Sequence, residues 1–215
     1  VLNWDNSESK VIDTQKIGKI VIHQIEGALP PEGSEIIGEI DWGRRVALMK
    51  NHTATHILLA SARKILGEHV WQAGTTKGVE RSRLDITHYV RLTDEQIQKI
   101  EEESNRIVTS NIPVKINWVK KEIAESHYNF SLYQGGVVPE RKIRVVNISD
   151  FDAQACAGVH CKTTNEIGII KIVKTERIQD GVERIFYAVG DSTLKYIREI
   201  EHKLKKITKI LGCSM

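Results

Sequence analysis

The spacing of apolar residues divides the chain into three predicted parts. In residues 1–47, apolar positions such as Ile20 and Ile22 alternate loosely with polar ones, and turn-forming residues fill 30–33. Further isoleucines follow at 36–40. We therefore expect this part to be a small β subdomain, folded as a partial barrel.

Residues 48–190 combine helix and strand patterns. From Asn51 to Leu66, apolar residues recur every three or four positions, which predicts a helix with Asn51 as its N-cap. The capping box Thr93-Asp94-Glu95-Gln96 predicts the start of a second helix. With the apolar runs between them, these helices indicate an α+β fold, here a two-layer α/β sandwich. The predicted strands cover 70–72, 84–90, 114–119, 143–148, 167–175 and 184–189, with a short helix at 121–126.

Residues 191–215 have a heptad spacing, with apolar residues three and four positions apart, which predicts an amphipathic C-terminal helix. Two heptads are too few to hold a coiled coil alone. Two interpretations therefore stand: the helix packs on its own domain, or it is a connector or a homodimer contact. The heptad residues are Ile197, Ile200, Leu204, Ile207 and Leu211.

Composition and charge narrow the class of protein. The 215 residues are 40% hydrophobic and 27% charged, as in an ordinary globular protein, and no apolar run approaches the ~20 residues that span a membrane. The formal net charge of +3 is too small to predict nucleic-acid binding by itself. Three cysteines do not make a disulfide framework; they favour a reduced, cytoplasmic setting in which cysteine is a ligand or a nucleophile.

Two histidines in the first predicted helix suggest a metal site. His52 and His56 are four residues apart, so their imidazoles lie on one helical face and can reach a single ion. The zinc-protease motif requires a glutamate directly after the first histidine. Thr53 occupies that position here, so the protease interpretation fails.

A second pair with the same spacing lies in a predicted loop. Cys156 and His160 are also four residues apart, and the two pairs together supply three imidazoles and one thiolate, a complete set for tetrahedral zinc. On chemistry alone a closed structural site and a functional site remain equal alternatives. Cys161 adjoins His160, which favours a small filler residue over a ligand, and Cys213 has no expected role.

Several motifs in order resemble the editing domain of alanyl-tRNA synthetases, the archaeal type most closely. The free-standing alanyl-tRNA editing proteins share the metal motifs and remain the near alternative. The resembling region runs from about residue 44 to 189. Its motifs are His-Thr-Ala-Thr-His at 52–56 and the blocks at 67–74, 82–89, 132–139 (which includes Gln134-Gly135-Gly136) and 175–184.

This resemblance implies a deacylase that removes serine, or glycine, from mischarged tRNA-Ala. The two pairs would bind Zn²⁺, and Cys156 and His160 would stand at the reaction centre. Gln72 would recognise the aminoacyl group. Asp85 and His88 lie in a similar block, and we expect core hydrogen bonds from them rather than catalysis. Since four protein ligands leave no open position, zinc would orient the substrate rather than generate hydroxide.

The sequence also departs from the family pattern. The common Cys-Gly-Gly-Thr-His becomes Cys-Ala-Gly-Val-His, which places Ala157 and Val159 beside the site. This keeps open a zinc-stabilised tRNA-binding module without activity. A third alternative is the editing domain of threonyl-tRNA synthetases. The motif blocks around Gln72 and Gln134 favour the alanyl type over this alternative.

The partners implied are the aminoacyl end and acceptor stem of tRNA-Ala, and no membrane. The class II catalytic core has no counterpart here, so the chain is not expected to activate an amino acid with ATP. The absence of an initial Met and the terminal heptad helix favour a fragment of a synthetase over a stand-alone protein, which makes the rest of the synthetase a partner. Candidate phosphate contacts are Arg44, Arg45, Lys77, Arg81, Arg83, Lys120 and Lys121.

Overall fold

The computed structural model describes residues 1–5, 7–18, 20–134 and 136–213. It separates into two compact units, Val1–Arg45 and Val46–Met215. In the first unit the described strands form one antiparallel sheet in the order β3-β2-β1-β4, and they do not close into a barrel. The strands are β1 (Leu2–Trp4), β2 (Ser7–Ile17), β3 (Ile20–Glu26) and β4 (Ile37–Gly38).

The first helix, α1 (Trp42–Leu66), begins earlier than the sequence predicts. The carboxylate of Asp41 accepts a hydrogen bond from the backbone N–H of Arg44 at 2.9 Å, so Asp41 does the capping. The prediction of Asn51 as N-cap is therefore wrong. Asn51 is buried inside the helix, where its amide donates to the carbonyl of Ala47.

The second unit contains two antiparallel sheets. One has the order β10-β11-β6-β5 and the other the order β7-β8-β9. With four helices in the described chain, this confirms the α+β class. Besides α1, the elements are β5 (Gln72–Thr76), β6 (Ser82–Thr87), α2 (Asp94–Thr109), β7 (Val114–Lys120), α3 (Lys121–Tyr128), β8 (Lys142–Ile148), β9 (Asp152–Ala155), β10 (Ile170–Gln179), β11 (Val182–Val189) and α4 (Asp191–Leu211).

Most of these elements are where the sequence predicts them. The capping box of α2 is formed, since the hydroxyl of Thr93 accepts from the backbone of Gln96 and the Gln96 side chain accepts from the backbone of Thr93. Strand β10 begins only at Ile170, because a 3-10 turn occupies Thr164–Ile167. Strand β9 was not predicted, because its four residues Asp-Ala-Gln-Ala carry no strand-forming pattern.

The middle of α1 is buried on all sides. Every residue from Thr53 to Ala62 is buried. A helix that is enclosed in this way needs packing partners on more than one face. Both sheets supply them, because one hydrophobic core contains Leu58 of α1 together with Ile185 of β11 and Val146 of β8. The two sheets therefore fix the position of α1, which carries His52 and His56.

Helix α4 contacts β11 but leaves its apolar stripe exposed. Thr193 in its first turn is buried, whereas Ile197 is 45% and Leu204 47% exposed. Packing of the stripe on its own domain is thus not what the structure shows, and the connector or homodimer role stays a prediction. No helix among the described residues is long and apolar enough to cross a membrane.

Candidate metal centre

Two distant segments meet at one cluster of possible metal ligands. Helix α1 presents His52 and His56 on one face, and the loop after β9 brings Cys156 and His160 against them. The ligand atoms of the four residues all lie within 4.8 Å of one another. The Sγ atom of Cys156 is 3.3 Å from Nε2 of His52 and 3.4 Å from Nε2 of His160.

These separations fit a tetrahedral ion. Zinc bonds of about 2.3 Å to sulfur and 2.0–2.1 Å to nitrogen place neighbouring S and N ligands of a tetrahedron about 3.5 Å apart. The two observed sulfur–nitrogen distances are close to that value. Three imidazoles and a thiolate are also a donor set that zinc accepts. The cluster could therefore hold one metal ion, and its chemistry suits Zn²⁺.

The hydroxyl of Thr53 fixes the ring of His160. It donates to the carbonyl of Met49 at 3.0 Å, so towards the other two neighbours it acts as an acceptor. The backbone N–H of Cys161 donates to it at 3.0 Å, and Nδ1 of His160 lies 3.2 Å away. Nδ1 of His160 therefore carries the hydrogen, which leaves Nε2 free to bind a metal on the side of Cys156.

A carboxylate plays the corresponding part for His56. Oδ2 of Asp152 lies 3.3 Å from Nδ1 of His56, and both side chains are 4% exposed. The distance is long for a strong hydrogen bond, but a buried carboxylate beside this nitrogen still favours a proton on it. Nε2 of His56 then points away from Asp152. Thr53 thus contacts His160 at hydrogen-bonding distance, and Asp152 lies beside His56 in the position of an outer partner, an arrangement usual for metal-binding histidines.

The charges inside the cluster make Cys156 a ready ligand. Burial raises the pKa of the Cys156 thiol, but hydrogen bonds with the three histidines lower it by more, to about 3. Burial lowers the pKa of His56, whereas Asp152 and Cys156 raise it to about 9. Burial is the main cause that lowers the pKa of His160 to about 4. At neutral pH Cys156 is thus a thiolate, the form that binds metals.

The loop from Cys156 to His160 passes very close to α1. A Cβ atom on Gly158 would lie 2.0 Å from Cε1 of His52, so only glycine fits at this position. The guanidinium of Arg144 donates to the carbonyls of Cys156 and Gly158 at 2.6 and 2.8 Å. The hydrogen bonds from Arg144 hold the loop in place, and the absence of a side chain at Gly158 lets the loop lie against the helix.

One side of the cluster is open. His56 and His160 are buried, while His52 and Cys156 are half-buried. Lys77, just after β5, lies near this side: burial lowers its pKa and the Cys156 thiolate raises it. Burial also lowers the pKa of His52, and the charge of Lys77 lowers it further. Lys77 therefore brings a positive charge near the two half-buried ligands, where it could stabilise an anion.

Gln72 is the first residue of β5, in the compact unit that also contains the cluster. Its backbone N–H donates to Oε1 of Gln134 at 3.2 Å, so the motif blocks that contain these two residues touch. Gly135, next to Gln134, lies outside the described residues. Within the described chain the side-chain amide of Gln72 makes no hydrogen bond, and its role in recognition stays a prediction.

The other polar residues of the motifs have structural partners. Asp85 is buried and accepts two hydrogen bonds from Arg184, at 2.7 and 2.9 Å, and one from Arg83. Nδ1 of His88 lies 2.8 Å from Nε2 of His69. Neither Asp85 nor His88 is a member of the metal cluster, which the structure forms from the other four residues.

Two remaining groups of residues also have defined surroundings. Cys161 is buried, which raises the pKa of its thiol to about 11, and it stands outside the cluster. Among the candidate phosphate contacts, Arg83 is paired with Asp85, and Arg81 lies 3.6 Å from Glu199. Both arginines are thus partly neutralised, whereas Lys77 lies beside the cluster.

Sequence reasoning missed the residues that support the ligands. From the sequence, Thr53 only excludes a zinc protease, and no motif marks Asp152 or Arg144 as part of the site. One usable signal was available: a metal-binding histidine usually needs an outer hydrogen-bond partner, and Asp152 precedes Cys156 by four residues. The close approach at Gly158 had no such signal, because it depends on the distance between loop and helix.

A family model matches part of this site. Residues 143–186 fit the model described as the threonyl and alanyl tRNA synthetase second additional domain. That segment contains Cys156 and His160, whereas His52 and His56 lie before it. The model thus covers one half of the cluster.

Similarity to curated proteins extends along nearly the whole chain. It is 50% identical over 218 residues to the alanine--tRNA ligase of Pyrobaculum arsenaticum, and 50% over 210 residues to that of Methanopyrus kandleri. Identity to the alanine--tRNA ligase of Pyrococcus abyssi is 48% over 212 residues. The chain is related to the archaeal alanine--tRNA ligases.

The resemblance of the motifs to an alanyl-tRNA synthetase editing domain is therefore confirmed. The three alignments cover 100%, 98% and 98% of this chain. They cover only 24%, 23% and 23% of the ligases. The chain thus spans about a quarter of the length of these relatives.

The support of His160 by Thr53 predicts a loss of metal affinity when the hydroxyl is removed. Thr53→Val keeps the shape but leaves Nδ1 of His160 and the N–H of Cys161 without an acceptor. Zinc affinity should fall about 10- to 100-fold, the usual effect of losing an outer partner. Competition with a chelator measures it. Thr53→Ser keeps the hydroxyl and should bind nearly as the parent does; equal affinity of both variants would refute the support.

Proposed function

We propose that this chain hydrolyses the ester bond of mischarged tRNA-Ala, with serine as the main substrate and glycine as a second. The observation that carries the proposal is the cluster of three histidines and one thiolate, with two buried ligands and an open side formed by His52 and Cys156. The relation to the alanine--tRNA ligases supports the substrate class. A structural zinc site has no need of an open side that faces a half-buried lysine.

The cluster would hold one Zn²⁺ through His52, His56, Cys156 and His160. When bound, such an ion supplies positive charge that orients an ester and polarises its carbonyl. Because four protein residues already complete a tetrahedron, we favour this orienting role over the generation of hydroxide. The attacking water would come from solvent through the open side.

The residues around the cluster keep it rigid during the reaction. Thr53 and Asp152 hold the rings of His160 and His56, and Arg144 holds the loop carbonyls. Such preorganised groups do not have to move as charge develops on the ester oxygen. The charge of Lys77, which acts on His52, would favour a transition state in which negative charge develops on the ester oxygen.

Selectivity for serine requires a group that needs the extra hydroxyl. An apolar pocket rejects an isostere with an added hydroxyl by only about 10²-fold, whereas a polar site rejects the analogue that lacks it by about 10⁴–10⁵-fold. We assign the recognition of the aminoacyl group to Gln72, since its amide makes no hydrogen bond to the described residues. Alanine would leave that amide unpaired, and serine would not. Glycine also lacks the hydroxyl, so its removal would need a different recognition group.

The proposal extends to partners and setting. The aminoacyl end and acceptor stem of tRNA-Ala would be bound by the unit that contains the cluster, and residues 48–190 would carry the activity. The exposed stripe of α4 would contact the rest of a synthetase or a second copy of the chain. The reduced cysteines fit a cytoplasmic protein.

Deacylation of defined substrates tests the proposed activity. The zinc-loaded chain should release serine from Ser-tRNA-Ala and leave Ala-tRNA-Ala intact. Cys156→Ala should lose at least about 10²-fold in rate with its metal ligand, because metal affinity and site geometry fall together. The exposed Cys213→Ala is the matched control and should retain full activity.

The outcomes separate the candidate functions. Release of serine from Ser-tRNA-Thr alone would support a threonyl-type editing domain instead. Release from neither ester, with zinc and tRNA still bound, would leave the tRNA-binding module without activity. That second candidate is favoured by Ala157 and Val159, both exposed next to the ligands where the family pattern has glycine and threonine.

Replacement of Gln72 tests the recognition of serine. Gln72→Leu removes the amide but keeps its size, and hydrolysis of Ser-tRNA-Ala should fall about 10- to 100-fold, the effect of one hydrogen bond to a buried group. Zinc content should not change. The control is Gln98→Leu, an exposed glutamine of α2, which should leave the rate within twofold. An equal rate in Gln72→Leu and the parent would remove Gln72 from the site.

A further inference from the structure

A large aromatic side chain is exposed on the sheet next to the cluster. Trp118 lies in β7, an edge strand of the sheet β7-β8-β9, and its side chain is 69% exposed. Tryptophan is costly to leave in water, because its burial removes 150–250 Å² of surface from solvent. Its exposure beside a proposed reaction centre leaves the indole accessible to a ligand.

The register places Trp118 in line with a metal ligand. Trp118 is directly opposite Arg144 of β8, and the carbonyl of Arg144 accepts a hydrogen bond from the N–H of Cys156 at 3.0 Å. Directly opposed residues are about 5 Å apart. The step from Trp118 to Arg144 and the step from Arg144 to Cys156 together put Trp118 and Cys156 about 10 Å apart in one row across the sheet. This distance leaves room for a sugar between an ester at the cluster and a base at the indole.

A cavity connects the two residues. Its volume is about 150 Å³, and both Trp118 and Cys156 line it. At about 30 Å³ per water it could hold roughly five waters. The rest of its wall has an apolar part, formed by Val138, Ile143, Ala155 and Ala157, and a charged part, formed by Glu140, Lys142 and Arg144. A flat, weakly polar group suits the apolar part of this wall better than a charged group does, because an unpaired charge is costly to remove from water.

The surroundings carry the charge that a nucleic acid needs. Lys142 lines this cavity. Lys120, which pairs with Lys142 in register, and Arg141 line a second cavity that shares Lys142 and Glu140 with the first, and all three cations are exposed. None of these three is in an ion pair with another described residue. Cations interleaved with an exposed aromatic ring are the pattern of single-stranded RNA binding, in which bases stack on aromatic rings and lysines track the phosphates.

We propose that Trp118 is a stacking platform for the terminal base of an RNA 3′ end whose ester lies at the cluster. This inference rests on the proposed function and adds a base-binding site to it. The indole stacks on the base, the ribose lies over the row of Arg144, and Lys120, Arg141 and Lys142 face the preceding phosphates. Trp118 thereby positions the ester, and it takes no part in the chemistry.

Binding of a short RNA that ends in CCA, without an amino acid, tests the platform independently of hydrolysis. The zinc-loaded chain should bind the labelled RNA, measured by anisotropy, and the stacked base should quench part of its tryptophan fluorescence. Trp118→Ala should weaken binding about 5- to 150-fold, the range for loss of one base stack. Trp118→Phe keeps a ring and should restore most of the affinity, but without the quenching.

Trp42 provides the matched control. It is 64% exposed and belongs to the other compact unit, so Trp42→Phe should keep the quenching of the parent. Quenching that survives in Trp118→Phe, or unchanged affinity in Trp118→Ala, would overturn the proposal. An exposed side chain contributes little to folding, and a melting temperature within a few degrees of the parent checks this.

Kinetics on Ser-tRNA-Ala distinguish this inference from the proposed function. Trp118→Ala should raise KM more than it lowers kcat, and Trp118→Phe should reverse most of the change. If the parent does not hydrolyse the ester but shows quenching that depends on Trp118, the base site stands and the editing function fails. If the parent hydrolyses it and Trp118→Ala has an unchanged KM and quenching, the base site fails alone.

Discussion

The enclosure of α1 between two sheets is the constraint on which the site depends. Every residue from Thr53 to Ala62 is buried, so the helix can neither rotate nor slide without breaking contacts on both sides. This fixes His52 and His56 in space. The loop after β9 can then approach His52 closely because Gly158 has no side chain, and the four possible ligands meet at one point.

Local patterns in the sequence predicted the ligands and most of the elements. The four-residue spacing of His52 and His56 needs only a helix to bring the rings together, and the capping box at Thr93 is formed from neighbours in sequence. The predicted start of α1 is wrong, because Asp41 caps the helix and the side chain of Asn51 bonds instead to Ala47 and to Ser82, which is distant in the chain. The outer partner Asp152 was missed for the same reason, since its contact with His56 depends on tertiary packing.

The chemistry of the site follows from what is buried and what is open. Hydrogen bonds with the neighbouring histidines keep Cys156 ionised although burial opposes ionisation, and buried outer neighbours orient two of the three rings. The charge of Lys77 acts on His52, and Cys156 lines the cavity that Trp118 also lines. An ester at the cluster and a base at Trp118 would use both, which links the proposed hydrolysis to the proposed binding of an RNA end.

The central claim is that His52, His56, Cys156 and His160 together bind one zinc ion. X-ray absorption at the zinc K-edge of the zinc-loaded chain tests it most directly. The account predicts one sulfur at about 2.3 Å and three nitrogens at about 2.0–2.1 Å, with the sulfur absent in Cys156→Ala. A shell with two sulfurs, which would bring in Cys161, or a parent protein with no sulfur ligand would contradict it.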